Sequence, residues 1–120
     1  MNQNPANWPP ELDATIAAPS FHKLLFENEH VRVLDTRVEP GQIVPLHTHP
    51  WPIMHYIFAW NDFIRRDENG DVLVDTKAMG VSAEPGTATW SAPMGPHTLE
   101  NVGDGPIHVL VVELKSASQA

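Results

Sequence analysis

The sequence predicts an all-β fold in a single domain, and three observations carry that prediction. Twelve prolines and seven glycines are spread along the 120 residues rather than clustered, which suits many short strands separated by frequent turns. The stretch Val31-Arg32-Val33-Leu34-Asp35-Thr36-Arg37-Val38 alternates, with Val31, Val33 and Asp35 opposing Arg32, Leu34 and Thr36, which is the two-residue period of a strand. His47 and His49 stand one residue apart in the apolar context Gly41-Gln42-Ile43-Val44-Pro45-Leu46-His47-Thr48-His49. On a strand they share a face and their imidazoles can converge on one ion, which the same spacing on a helix would not allow.

The elements follow in order. Residues 1–20 are polar and proline-bearing and read as an N-terminal arm, with one short helical turn over 9–17. From Phe21 the pattern is β. Strands over 24–26 and 31–38 flank the turn-like Glu27-Asn28-Glu29, and Glu39-Pro40-Gly41 turns into the strand that carries His47 and His49. Pro50-Trp51-Pro52 ends that strand, because proline supplies no ladder donor and restrains its neighbour. Further strands are expected over 53–60 and 63–66, and Asn69-Gly70 marks a hairpin that returns through 72–74. Glu84-Pro85-Gly86 opens a strand over 87–90, Pro93-Met94-Gly95-Pro96 precedes one over 97–102, and Gly103-Asp104-Gly105-Pro106 turns into the last, over 107–114. Residues 116–120 read as a frayed tail. The length suits one core and not two, and no internal repeat or linker divides it.

Composition narrows the function classes. The formal charge is −8 and no basic run exists, which argues against nucleic acid and anionic membrane surfaces as partners. Cysteine is absent, so there are no disulfides, thiolate ligands or cysteine nucleophile. Met1-Asn2-Gln3-Asn4-Pro5 has neither a basic nor an apolar signal-peptide region, and the longest apolar stretch, near 107–114, is far short of the ~20 residues that span a bilayer. A cytoplasmic protein is expected by elimination. Seven histidines in so short a chain are an excess that calls for an explanation.

A third histidine, His97, lies in Pro93-Met94-Gly95-Pro96-His97-Thr98-Leu99-Glu100-Asn101. Gly41, five residues and His47-Thr48-His49 together resemble the first cupin motif, and Gly86 with Pro93, Gly95, His97 and Asn101 resembles the second. The resemblance runs over residues 21–115. It implies a single-domain cupin, a double-stranded β-helix jelly-roll barrel, with a site at the barrel mouth that usually holds one divalent metal ion. The metal-binding glutamate that cupins carry three or four residues after the His-x-His pair is missing: Ile53 and Met54 stand there. The expected ligands are therefore His47, His49 and His97 plus solvent. Three neutral imidazoles leave the ion its full charge and open positions, and among cupins this resembles the iron sites of thiol and diketone dioxygenases. Histidine ligands suit iron, zinc, nickel or manganese alike.

His55 is the candidate catalytic residue, and two registers are open for it. If Ile53 takes the glutamate's place, His55 falls on the same inward face and can act as a fourth ligand or a general base; if Met54 does, His55 turns outward. Trp51 and Met54 are candidates to shape the pocket, while Trp60, Trp90 and Phe63 read as core or interface. One of Arg65 and Arg66 must face inward, where it would meet an anionic substrate, unless both are solvated edge charges. Asn101 reads as fixing a turn or strand end, Glu100 and Glu113 as weak acid candidates, and His22, His30 and His108 have no motif context. Two functions follow. One is a metal-dependent enzyme on a small organic molecule, dioxygenase-like or, less readily, an isomerase or lyase. The other is a non-catalytic cupin module that binds a small molecule. A homodimer is expected from the way cupins pair.

Overall fold

A computed structural model describes residues 4–115; the tail expected over 116–120 lies outside them. Nine strands follow in order: β1 (His22–Glu27), β2 (Val31–Val38), β3 (Ile43–His49), β4 (Ile53–Ala59), β5 (Phe63–Asp67), β6 (Val72–Asp75), β7 (Ala88–Ser91), β8 (Met94–Asn101) and β9 (Ile107–Leu114). Two one-turn helices, α1 (Ala14–Ala17) and α2 (Thr76–Met79), accompany them. The strands form two antiparallel sheets in the orders β1-β2-β9-β4-β7 and β3-β8-β5-β6. This is the jelly-roll arrangement that the sequence predicts.

Alternation positions the core. In β9 every second residue is buried, Ile107, Val109, Val111 and then Glu113, and this strand pairs with both β2 and β4. Leu34, Val38, Ile53 and Ile57 face the same interior, and Val44 closes it from the other sheet. Each fully buried aliphatic side chain of this kind stabilises the fold by roughly 1.5–3 kcal/mol relative to exposure. In β4 the buried residues are Ile53 and Ile57, with Met54, Tyr56 and Phe58 exposed in alternation with them, so His55 has the inward register. Met54 belongs instead to an outer row, Phe26–Val33–Val112–Met54–Trp90, aligned residue by residue across all five strands of the larger sheet.

Turn chemistry fixes the ends. Gly41 has φ +83°, a left-handed conformation that only glycine adopts without strain, and its N–H donates to the Asn101 carbonyl. The Asn101 carboxamide donates to the carbonyls of Val38 and Gly105, at 2.9 Å each, and accepts from the Gly103 N–H. It ties three chain segments together, as expected of a strand-end residue.

The arm packs on its own barrel. Trp8 is buried against Gly95, where an added Cβ would come within 3.3 Å of the indole. Asp13 pairs with Thr48 of β3 and caps α1 through the Thr15 N–H, and Ala14 and Ala18 are buried. The helical turn expected over 9–17 is resolved into a 3-10 turn, Pro10–Leu12, and α1. Among the described residues no helix is long and apolar enough to cross a membrane.

Candidate metal centre

A cavity of about 400 Å³ lies between the two sheets, within the range of small-molecule sites. Five of the seven histidines line it: His22, His47, His49, His55 and His97. The histidine excess has its explanation there.

His47 and His49 come from β3 on one face, as the spacing predicts, and His97 of β8 stands directly across from His47 in the ladder. Their rings are 4.3 Å apart, centroid to centroid. The ladder slips on both sides of His47, next to prolines that cannot donate to it. The slip produces the same device twice. His47 Nδ1 donates to the Pro45 carbonyl two residues back, and His97 Nδ1 to the Gly95 carbonyl two residues back, each at 2.7 Å.

His22 joins them from the start of β1. It is buried, 4.9 Å from His47 and 5.3 Å from His49 ring to ring, and its Nδ1 donates to the Ala18 carbonyl of the arm at 3.0 Å. Among the described residues the tightest donor group is His22, His47 and His49, whose ligand nitrogens all lie within 4.8 Å of one another. The set expected from sequence and this group share two members and differ in the third. His97 stands beside His47 and 5.9 Å from His49, outside that group. His22 escaped the sequence reading because it is the single buried residue of β1, so no alternation marks its strand. Its partner in the ladder, Thr36, lies on the buried face of β2 and was the one available signal.

Glu113 is the acceptor for His49. It is fully buried, takes the His49 Nδ1–H at 2.9 Å, and is held by Arg32 through Nε and, at 3.2 Å, through Nη2. Arg32 also binds Asp13 of the arm at 2.9 and 3.1 Å. In the ladder Glu113 lies directly opposite Ile53. A carboxylate therefore does stand next to the position where the glutamate is missing, supplied by the neighbouring strand and facing the far side of His49.

All four Nδ1 atoms thus have acceptors, which fixes the Nδ1–H tautomer and leaves each Nε2 with its lone pair. Burial, reinforced by the neighbouring histidines, pushes His47 down to about 2 and His49 and His97 well below the usual imidazole range; burial also lowers His22. The rings are neutral at physiological pH. Neutral imidazoles oriented by acceptors at their other nitrogen are the donor set that zinc, iron, nickel and their neighbours bind, so these residues fit a divalent ion.

His55 lines the same cavity, and burial, followed by the nearby Arg65 charge, lowers it to about 4. Two expectations about the walls are corrected. Trp51 does not line the cavity; its ring lies 4.9 Å from the Arg32 guanidinium and 5.2 Å from the Lys115 ammonium. Met54 is on the outer face, because it alternates with the inward residues Ile53, His55 and Ile57 of β4. Trp60 and Phe63 contribute the aromatic wall instead. Arg65 faces the cavity, while Arg66 turns out to Glu100 at 2.9 Å.

No protein-family model matches the sequence, and no curated protein matches it. Solved structures do. A cupin domain from Bordetella pertussis aligns at 17% identity and TM-score 0.64, over 78% of this chain and 91% of that one. An RmlC-like cupin with a double-stranded β-helix fold from Methanocaldococcus jannaschii aligns at 14% and 0.57, over 82% and 84%. The polyketide cyclase RemF from Streptomyces resistomycificus aligns at 18% and 0.51, over 78% and 63%. The protein has the cupin fold, with a histidine cluster inside the barrel. One fold of this kind hosts many reactions, so its chemistry is argued from the site.

Proposed function

We propose that the cluster holds one divalent metal ion through His22, His47 and His49, with His97 as a fourth donor, and that the protein is a metal-dependent enzyme acting on a small organic molecule in the adjoining cavity. The observation that carries this reading is the set of four Nδ1–H bonds, which orients four neutral imidazoles beside that cavity. When bound, the ion would supply a Lewis acid and, if iron, a redox centre. The chain's own contribution is orientation and shelter. Backbone carbonyls and Glu113 hold the rings, and the aromatic wall limits water.

His55 is the group proposed to move a proton: it lines the cavity, is neutral, and makes no hydrogen bond among the described residues. Among the described residues no carboxylate lines the cavity. That favours a dioxygenase-like oxidoreductase over an isomerase or lyase, which needs a stronger base at the substrate carbon. The likeness to a polyketide cyclase offers a precedent for catalysis on this fold without naming the reaction.

A second reading is supported by His22. Four imidazoles complete a tetrahedral ion such as zinc and leave an octahedral one two positions, so with zinc the protein would be a binding module. Elemental analysis of untagged protein beside the His47→Ala/His97→Ala variant tests both. About one equivalent of metal per chain, lost in a variant that still folds, is the expected result. Iron with substrate-dependent oxygen uptake supports the enzyme, and zinc with ligand binding but no turnover supports the module. Near-zero metal, with no uptake of iron, nickel, manganese or zinc when added back, overturns the metal centre.

A further inference from the structure

Among the described residues Arg65 is a cation without a hydrogen-bond or ion-pair partner. Its Nε is shielded from solvent and makes no hydrogen bond, and the guanidinium carbon lies 5.3 Å from the centre of the Phe63 ring. Each nearby carboxylate is engaged elsewhere. Asp67 accepts from the Asn69 and Asp71 N–H groups of the hairpin, Glu100 pairs with Arg66, Asp62 accepts from the Thr76 hydroxyl, and Asp75 caps α2. Arg65 is half-buried, and a guanidinium drawn partly out of water with no carboxylate beside it costs free energy; burial lowers its pKa accordingly. A fold that keeps such a group has a use for it that lies outside the chain.

Register says where. Arg65 stands opposite Leu99, which stands opposite Val44; two residues further along β5, Asp67 stands opposite His97, which stands opposite His47. Arg65 is therefore one inward step, roughly 6.6 Å, from the rung that carries His47 and His97. The cavity wall between them is mostly apolar, with Trp60, Phe63 and Leu99 among its residues, and Thr36 adds a buried hydroxyl oxygen without a partner. Among the described residues no Asp, Glu or Lys lines it.

We infer that this cavity takes a small organic acid, its carboxylate paired with Arg65 and its apolar body lying along Trp60, Phe63 and Leu99 toward the histidines. A single planar guanidinium matches the two oxygens of one carboxylate. A phosphate brings more charge and more acceptors than this wall has donors for. The inference deepens the proposed function by naming the ligand class, and it rests on the cavity whether or not a metal is bound.

The test titrates butyrate, hexanoate and benzoate, each against its primary amide, into chelator-treated protein and into zinc-loaded protein, read by calorimetry and by amide chemical shifts. The acid should bind about tenfold or more tightly than its amide in both forms, the increment of a charge-assisted hydrogen bond. Arg65→Met should erase that ratio, and Arg65→Gln serves as the second variant. A ratio near one in the parent, a ratio unchanged by both variants, or no saturable binding by any acid overturns the inference. A ratio present only in zinc-loaded protein also overturns it, since the anion would then be reading the ion. Failure of the metal centre alone would leave the chelator-treated result standing.

Discussion

Arg32 and Arg65 are both inward-facing guanidinium groups, and the fold provides for them in opposite ways. Arg32 meets Glu113 and Asp13 with four hydrogen bonds, and the Trp51 ring lies against it. Among the described residues Arg65 meets no carboxylate. Burial works against the charge of both, but the two carboxylates more than reverse it for Arg32, whose pKa rises, while that of Arg65 falls. The difference separates scaffold from site. Arg32 completes a chain from the arm through Glu113 to His49, so it orients a ring of the cluster. Arg65 is left open toward the cavity, where a ligand can complete it.

The largest expected effect tests that separation directly. Arg32→Met strands Glu113 and Asp13 and should cost about 3–5 kcal/mol, the loss seen when one partner of a buried ion pair is removed. Arg65→Met removes a charge that nothing balances, so stability should change by less than about 1 kcal/mol or rise. Urea unfolding of both metal-free variants reads the contrast, and equal losses would break it.

Next in size is Glu113→Gln. It weakens the acceptor of the His49 Nδ1–H, and changes of this kind typically lower metal affinity roughly 10–100-fold. Competition with a coloured chelator measures it. Carboxylate binding at Arg65 should stay as in the parent, which sharpens the division between the two arginines.

Acid should act on the two regions in sequence. An unfolded histidine takes its proton near 6.5, whereas folded His55 refuses it to about 4 and His47 to about 2. Below pH 6.5 the unfolded chain then binds more protons, so stability is full above that pH and declines as pH falls. Asp13 adds a second loss. Burial alone would raise it, but the bonds from Arg32 and Thr15 outweigh burial and hold it below 3.8, so its contribution disappears only as pH falls beneath that value. Urea midpoints of metal-free protein across pH 3–8 should show the first decline eased in Arg65→Met, because Arg65 is the second cause of the His55 shift. A flat profile between 6.5 and 4 would contradict the neutral cluster.

How much of this the sequence made legible follows from range of interaction. The strands were readable because turn residues and two-residue alternation are local, and His47, His49 and His97 were readable because motifs frame them. The inward register of His55 was one of two open choices, decided by Ile53 and Ile57 packing on β9. His22, Glu113 and the opposed fates of Arg32 and Arg65 depend on pairing between strands far apart in the chain, 81 residues for Arg32 and Glu113, and no local pattern encodes such partners. The position of Trp51 after the ligand strand suggests the mouth, but its actual neighbours are Arg32 of β2 and Lys115 just past β9.

Trp51 also provides the smallest test. Its ring faces Arg32 at 4.9 Å and Lys115 at 5.2 Å, and it is partly exposed. A cation–π contact at such a site contributes about 0.5–1 kcal/mol. Trp51→Leu should lose that much in the parent and distinctly less once Arg32 is Met, and a double-mutant cycle isolates the coupling. The same cycle with Arg65 should give zero within error, because no contact joins Trp51 to the cavity. A Trp51–Arg65 coupling, or a change in carboxylate affinity in Trp51→Leu, would return this indole to the cavity mouth and merge the two regions that the arginines keep apart.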